Sequence, residues 1–382
     1  LGEAFGQAIG EDDHPVFADG QNTVYAVNGT YSNASTEIAI ALIEAIGTVG
    51  LDGSEDCFRY VAQAENCYNN LTAEEKKGVS NADVLINAQK AYKQVTDRLE
   101  SKITDIGTLE PNTLEAFDAL TSDLEAYTSH GGDMSKIANY SVYAKALEDY
   151  PRVQQLYIEQ NIKTEEIDGS VYYVITNVEQ LNWFAGLVNG TLLTETEQNA
   201  GANAVLGENI TINDNLLADL NGNYEPDEAV TAQFNTIDII GNTEFSGVFD
   251  GRGHTVSGLF TENKGMFNQE SGTVKNLNIT DSFVGQTSNT YVGGIASRVL
   301  AGGVIEGCSF DGTVVGRQNV GGVAGSNAGT IKLSRADINL EFTGSSLAYS
   351  GGIVGNNSGG TIESCYTTGL INNGGSTSAQ RF

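Results

Sequence analysis

At 382 residues the chain exceeds what one hydrophobic core usually supports, and 40% apolar with only 18% charged residues excludes a disordered polymer, so two or three folded units are expected. A net charge of −30, from 49 acidic and 19 basic side chains with no Lys/Arg cluster, argues against nucleic acid or an anionic membrane as partner, because both need positive charge to neutralise phosphates. Apolar runs such as Ile38 to Ile43 fall far short of the roughly 20 residues of a membrane span.

No leader of basic, then apolar, then small residues opens the chain at Leu1, and it stops at Phe382 inside a repetitive region. It reads as an excerpt of a longer polypeptide. Glycine is scarce from 34 to 167 and dense from 241 to 382, which places a helical region before a β region.

Ser54, followed by Glu55 and Asp56, predicts a capped helix with Cys57, Tyr60, Val61, Ala64, Tyr68 and Leu71 at helical spacing. Cys57 and Cys67 then lie about 15 Å apart along one helix axis, too far to bridge. Thr72 and Glu75 form a capping-box pattern, and Asn81 is read as the cap of a helix with Val84, Leu85, Ala88, Tyr92, Val95 and Leu99 on one face. Pro111 suits the first turn of a helix carrying Leu114, Phe117, Leu120, Leu124 and Tyr127. Two more helices are expected, around Lys136 to Leu147 and Val153 to Gln160. The segments EAIGTVGLDGSED and AENCYNNLTAEEKKGVSNADVLINAQKAY resemble a small helical module of Gram-positive surface proteins. That resemblance covers about residues 43 to 99 and implies a spacer without an active site.

Repeats dominate the C-terminal part. Gly265, Gly294, Gly322 and Gly352 recur at 28 to 30 residues, each before an apolar pair. A second motif follows each one: GTVKNLNI, GVIEGCSF, GTIKLSRA and GTIESCYT. Aligned, these give one column of Val274, Ile305, Ile331 and Ile362, a second of Leu277, Cys308, Ser334 and Cys365, and a third of Ile279, Phe310, Ala336 and Thr367. One repeat per turn of a β-solenoid explains them, with strands stacked at about 4.8 Å and glycines where φ > 0 or close approach excludes a Cβ. Cys308 and Cys365 then sit two coils apart, about 10 Å, as free thiols. The third repeat departs at Leu333-Ser334-Arg335, which loosens its local register.

The stretches VGGIASRVLAGGVIEGCSFDGTVVG, VGGVAGSNAGTIKLSRADINLEFTG and SGGIVGNNSGGTIESCYTTG resemble the GLUG repeat of bacterial surface proteins. FSGVFDGRGHTVSGLF and YYVITNVEQLNWFAGLVNG resemble segments that open such arrays, so the likeness spans about residues 171 to 371. It implies a right-handed β-helix-like rod, found in adhesins and in non-catalytic regions of some metallopeptidases that cleave immunoglobulin A. LGEAFGQAIGEDDHPVFADGQNTVYAV resembles the segment that closes such an array, so the parent polypeptide is expected to alternate solenoid and helical spacer. Val178, Leu181, Phe184, Leu187 and Val188 fall at helical spacing, with Trp183 beside them, and suit a helix lying across the open end of the solenoid.

Chemistry is sparse. His14, His130 and His254 are scattered, which excludes a His-x-x-x-His zinc site. Asp250 and His254 invite an acid/base reading; a turn is preferred, in which Asp250 binds backbone amides and Gly251 and Gly253 supply φ > 0. Asp219, Asn221, Asn223 and Asp227 partly imitate a calcium loop but lack its glycine and final glutamate, so an acidic surface loop is preferred. Glycine runs such as GGVAGSNAG lack the lysine and following helix of a phosphate loop. Acids on the outward face, such as Glu306 and Glu363, are read as isolated. Tyr291, Tyr349 and Tyr366 at loops suit glycan stacking or plain exposure.

The expected architecture is multidomain α and β, a helical bundle spacer followed by a right-handed β-helix-like solenoid. Its bounds are 1–33 (closing segment of a preceding β repeat domain), 34–106 (helical spacer), 107–166 (second helical segment) and 167–382 (solenoid, incomplete at its C-terminus). The expected role is structural or adhesive, extracellular, without enzyme activity, and without a cofactor unless calcium binds. Partners are a host or matrix protein or glycan and neighbouring repeat domains. The alternatives are the stalk of a large secreted peptidase and a β-helix enzyme acting on polysaccharide.

Overall fold

A computed structural model describes residues 5–6, 16–17, 24–27, 30–222, 228–262, 264–343 and 349–372. Its contacts divide the chain into two units, Leu1–Gln154 and Gln155–Phe382. Of the N-terminal segment, Phe5–Gly6 pairs antiparallel with Val16–Phe17, and Val24–Val27 with Thr30–Asn33.

The helices are α1 (Thr36–Ala45), α2 (Cys57–Asn70), α3 (Ala73–Lys77), α4 (Ala82–Ile106), α5 (Leu114–Ser129) and α6 (Tyr140–Asn161). Helix α5 follows the expected pattern closely. Leu114, Phe117, Leu120, Leu124 and Tyr127 are all buried, behind a short 3-10 turn at Pro111–Thr113. Two apolar clusters hold the helical unit. One gathers Leu42, Ile43, Val61, Ala64, Cys67 and Leu85; the other gathers Phe58, Leu99, Ile103, Phe117 and Tyr127, with Tyr92 packed against it. Phe58 lies 4.9 Å from both the Tyr92 and Tyr127 ring centroids.

Several local expectations are corrected. Ser54 does not cap α2; its Oγ accepts from the Thr48 amide (2.9 Å), and α2 starts after Asp56, which takes a left-handed φ of 58°. Phe58 and Cys67 are buried on α2, while Tyr60 and Tyr68 lie at the edge of that face. The Thr72–Glu75 capping box forms in both directions. Asn81 precedes α4 without capping it, because its side-chain amide donates to the Ile40 carbonyl (3.0 Å). Val84 is exposed. The two expected C-terminal helices are one, α6, which runs through Pro151. Proline removes one helical hydrogen bond, and burial of Tyr143, Ala146 and Val153 on either side carries the helix across that gap.

In the second unit, the strands Thr164–Ile167 and Ser170–Ile175 form a hairpin around Asp168-Gly169, both at positive φ as a type I′ turn needs. Helix α7 (Val178–Asn189), capped by Asn177, then leads to Asn203–Leu206, parallel to Ser170–Ile175. From there the chain winds through about six turns of parallel solenoid.

Each full coil supplies one strand to each of four sheets. For residues 290–316 these are Thr290–Gly293, Ala296–Val299, Val304–Glu306 and Ser309–Gly316. The sheet containing Ser309–Gly316 has the longest strands and is called the long sheet below. Partners fall where the repeat alignment places them. Phe267, Ala296, Ala324 and Val354 are in register, as are Val274, Ile305, Ile331 and Ile362, and Ile279, Phe310, Ala336 and Thr367. The third repeat keeps its register despite Leu333-Ser334-Arg335.

The expected end cap is present. Phe184 of α7 packs against Phe245 and Phe249 of the first coils, and those rings pack against Phe267 of the next. The hairpin covers the free edge of the adjoining sheet with a strand bearing Glu165 and Glu166, a charged edge that resists further pairing.

Candidate functional site

Inward positions are structural. Val274, Ile305 and Ile331 are fully buried, whereas Ile362 in the last described coil is 41% exposed. None of Gly265, Gly294, Gly322 and Gly352 has a positive φ. They answer to close approach: a Cβ on Gly294 would run into the Phe310 ring and the Gly322 carbonyl, and on Gly352 into Thr367. In the second column the Cys308 thiol reaches the Val274 carbonyl (3.6 Å), and Cys365 repeats that contact on Ile331 (3.6 Å). Ser334 stands between them and accepts from the Cys308 amide (3.2 Å). All four cysteines are free, and burial pushes the Cys308 thiol up to about 12.

Positive φ appears at a different column, Asn276, Gly307, Leu333 and Ser364, where the chain turns towards the long sheet at φ of 52° to 62°. Only Leu333 carries a large apolar side chain there, and it is 61% exposed. Nothing in its residue type announces a left-handed backbone.

Asp250 and His254 are not brought together as an acid/base pair. Asp250 accepts from the Arg252 amide (2.9 Å) and the Asn276 side chain (3.0 Å), with the Lys275 ammonium at 3.4 Å. Burial alone would raise its pKa; Asn276, the Arg252 amide and Lys275 together hold it below the ordinary carboxylate value. His254 Nδ1 faces Asn209 (3.3 Å). The turn reading stands with one correction, since Arg252 and Gly253 supply the positive φ, while Gly251 lies close against the backbone of Asn276 and Leu277.

Asp250, Lys275, Glu306, Lys332 and Glu363 are consecutive register partners. They form a ladder of alternating charge up the outside, with Lys332 3.2 Å from Glu306. Glu306 and Glu363 are therefore rungs of this ladder. Tyr291 stacks under the Arg298 guanidinium at 3.8 Å, while Tyr349 and Tyr366 are exposed.

Of the calcium-loop candidates, Asp219 lies in α8 (Leu216–Leu220) and Asn221 is the left-handed residue ending it, while Asn223 and Asp227 lie outside the described residues, as does His14. No cluster of three or more His, Cys, Asp or Glu able to hold a metal occurs among the described residues.

Sequence reasoning missed Glu270. It sits among inward residues with no exposure and, among the described residues, no hydrogen bond of ordinary geometry to either carboxyl oxygen. Burial pushes its pKa up to about 9.

Fold and columns together define a parallel β-solenoid built one coil per glycine-marked repeat, the form of a structural or surface repeat region. Residues 288–315 match the family model of the GLUG motif, as in a GLUG-repeat protein, and this span is one complete coil of the solenoid. No curated protein and no solved structure matches the chain. No helix among the described residues is long and apolar enough to cross a membrane.

Proposed function

We propose that this chain is a non-enzymatic, structural and adhesive segment of a large extracellular bacterial surface protein, in which the helical unit spaces and the solenoid presents contact faces to host or matrix proteins or glycans. The observation that carries this reading is the GLUG match to one coil, locked in register to neighbours of the same pattern. GLUG-repeat proteins are generally extracellular, and a stacked solenoid supplies reach and repeated outward positions.

The test is an array of matrix proteins and glycans probed with the whole chain, beside antibody labelling of intact producing cells. Saturable binding and surface labelling are the expected results. Unlabelled intact cells with labelled lysates would refute the surface assignment, and turnover of an acidic polysaccharide would refute the non-enzymatic one.

A further inference from the structure

Helix α8 lies on the outside of the long sheet, where Leu216 and Leu220 cover Phe260, Phe283 and Val315. Asp281 fastens it there, its carboxylate accepting from the Leu216 amide (2.8 Å) and the Leu217 amide (3.0 Å). This cover stops short of the later coils. Beyond Phe283 its outward column continues as Thr313, Asn339 and Leu370, and Leu370 is 62% exposed. Between α8 and these positions runs an open groove of about 450 Å³, with Leu217, Leu220 and Leu370 as apolar walls and Asp311 and Asp337 along it.

Asp311 and Asp337 are register partners on neighbouring strands, so their backbones stand about one strand spacing, 4.8 Å, apart and their side chains leave the same face of the sheet. Like charges placed directly opposite destabilise a sheet. Elsewhere on this solenoid stacked charges alternate in sign, from Asp250 to Glu363. Here the alternation fails, and no salt bridge reaches either carboxylate among the described residues. Burial, then the charge of Asp337, pushes Asp311 above the ordinary carboxylate range, and Arg335 offsets only part of this.

The groove thus pairs two like charges, which Arg335 offsets only in part, with apolar walls. Two carboxylates in an open groove fall short of the six to eight oxygens a calcium ion takes. Sugar hydroxyls would leave the charge standing. A Lys or Arg side chain could hydrogen-bond to both carboxylates at once and cancel the repulsion between them in part, and the apolar residues beside it would bury against the leucines.

We propose that this groove docks an extended basic segment of a partner protein, one Lys or Arg lying between Asp311 and Asp337 and its apolar neighbours against Leu217, Leu220 and Leu370. The inference rests on reading the solenoid as a contact surface, and names the chemistry of one partner.

The experiment titrates the whole chain into a dye-labelled Leu-Arg-Leu-Lys-Leu peptide and into its Leu-Gln-Leu-Gln-Leu counterpart, read by fluorescence anisotropy. The basic peptide binds saturably and the neutral one does not. The double variant Asp311→Asn, Asp337→Asn weakens binding at least about tenfold, and Leu370→Ser about threefold, as expected for removing a charge-assisted contact and an apolar one. The double variant also melts at or above the parent temperature, because the repulsion is gone, which separates lost binding from lost folding. Equal binding of both peptides, or full binding by the double variant, overturns the inference. Calcium binding that the Asn variants abolish, without any peptide binding, overturns it as well. A matrix ligand that binds parent and double variant alike, with no binding of the basic peptide, would sink the groove and leave the adhesive reading standing.

Discussion

Leu333 stands where its register partners are Asn276, Gly307 and Ser364, and it shares their left-handed backbone. That conformation costs an ordinary L-residue about 1–2 kcal/mol, and Asn tolerates it through local hydrogen bonding. Leu333→Asn should therefore raise stability by about 1 kcal/mol, seen as a higher denaturant midpoint at unchanged slope. An unchanged or lower midpoint would mean that the exposed leucine contributes contacts that outweigh its backbone strain. Glu270 offers a second test at this scale. Its folded pKa of about 9 exceeds the ordinary 4.5, so the folded state holds a proton that the unfolded chain releases. The contribution of Glu270 to stability is then greatest below about pH 4.5 and falls as pH rises towards 9, by on the order of 3 kcal/mol at pH 7. Glu270→Gln keeps a buried polar group and removes only this titration. Thermal melts from pH 5 to 9 should show a shallower decline in the variant than in the parent, and parallel declines would contradict it. Neither residue could be singled out from sequence. A buried acid in FNQESG reads as an outward turn residue, and a left-handed leucine leaves no trace in residue type.

At the scale of elements, periodicity carried most of what was readable. Helix α5, helix α7 and the three inward columns follow from spacing alone, because burial selects residue type at every third, fourth or second position. Helix starts did not follow, because capping is decided by which partner the side chain finds. Ser54 finds the Thr48 amide and Asn81 finds the Ile40 carbonyl, both outside the helices they were expected to cap. The charge ladder was legible in pieces, and joining them required the register. It also makes a prediction. Lys332→Glu would place like charges against Glu306 and Glu363, its partners on both sides. Cross-strand pairs of this kind are worth roughly 0.2–1 kcal/mol each, so the substitution should lower stability by about 1 kcal/mol in dilute buffer. The Lys332 and Glu306 side chains are about one-third exposed, so 1 M salt should remove much of the loss. A loss that persists in salt would assign Lys332 a packing role instead.

For the solenoid unit as a whole, stability is approximately a sum over coils and the interfaces between neighbours, so position along the stack matters as much as residue type. The repeat period revealed this architecture, since one period is one coil. The pairing of Asp311 with Asp337 stayed hidden, because residues 26 apart meet only when the stack forms. The same logic separates two isoleucines of one column. Ile331 is fully buried between Ile305 and Ile362, while Ile362 is 41% exposed in the last described coil. Truncating a buried isoleucine costs about 2–5 kcal/mol through lost transfer energy and the cavity left behind. Ile331→Ala should fall within that range, and Ile362→Ala should cost less than half as much, because it has fewer contacts to lose. Hydrogen exchange gives the matching readout. Amides of Thr330–Lys332 should exchange only through large openings, and those of Thr361–Glu363 through local fraying that leaves the earlier coils closed. Equal costs for the two alanine variants, together with equal protection of the two strands, would show these coils opening as a single cooperative body rather than from the last described coil inward.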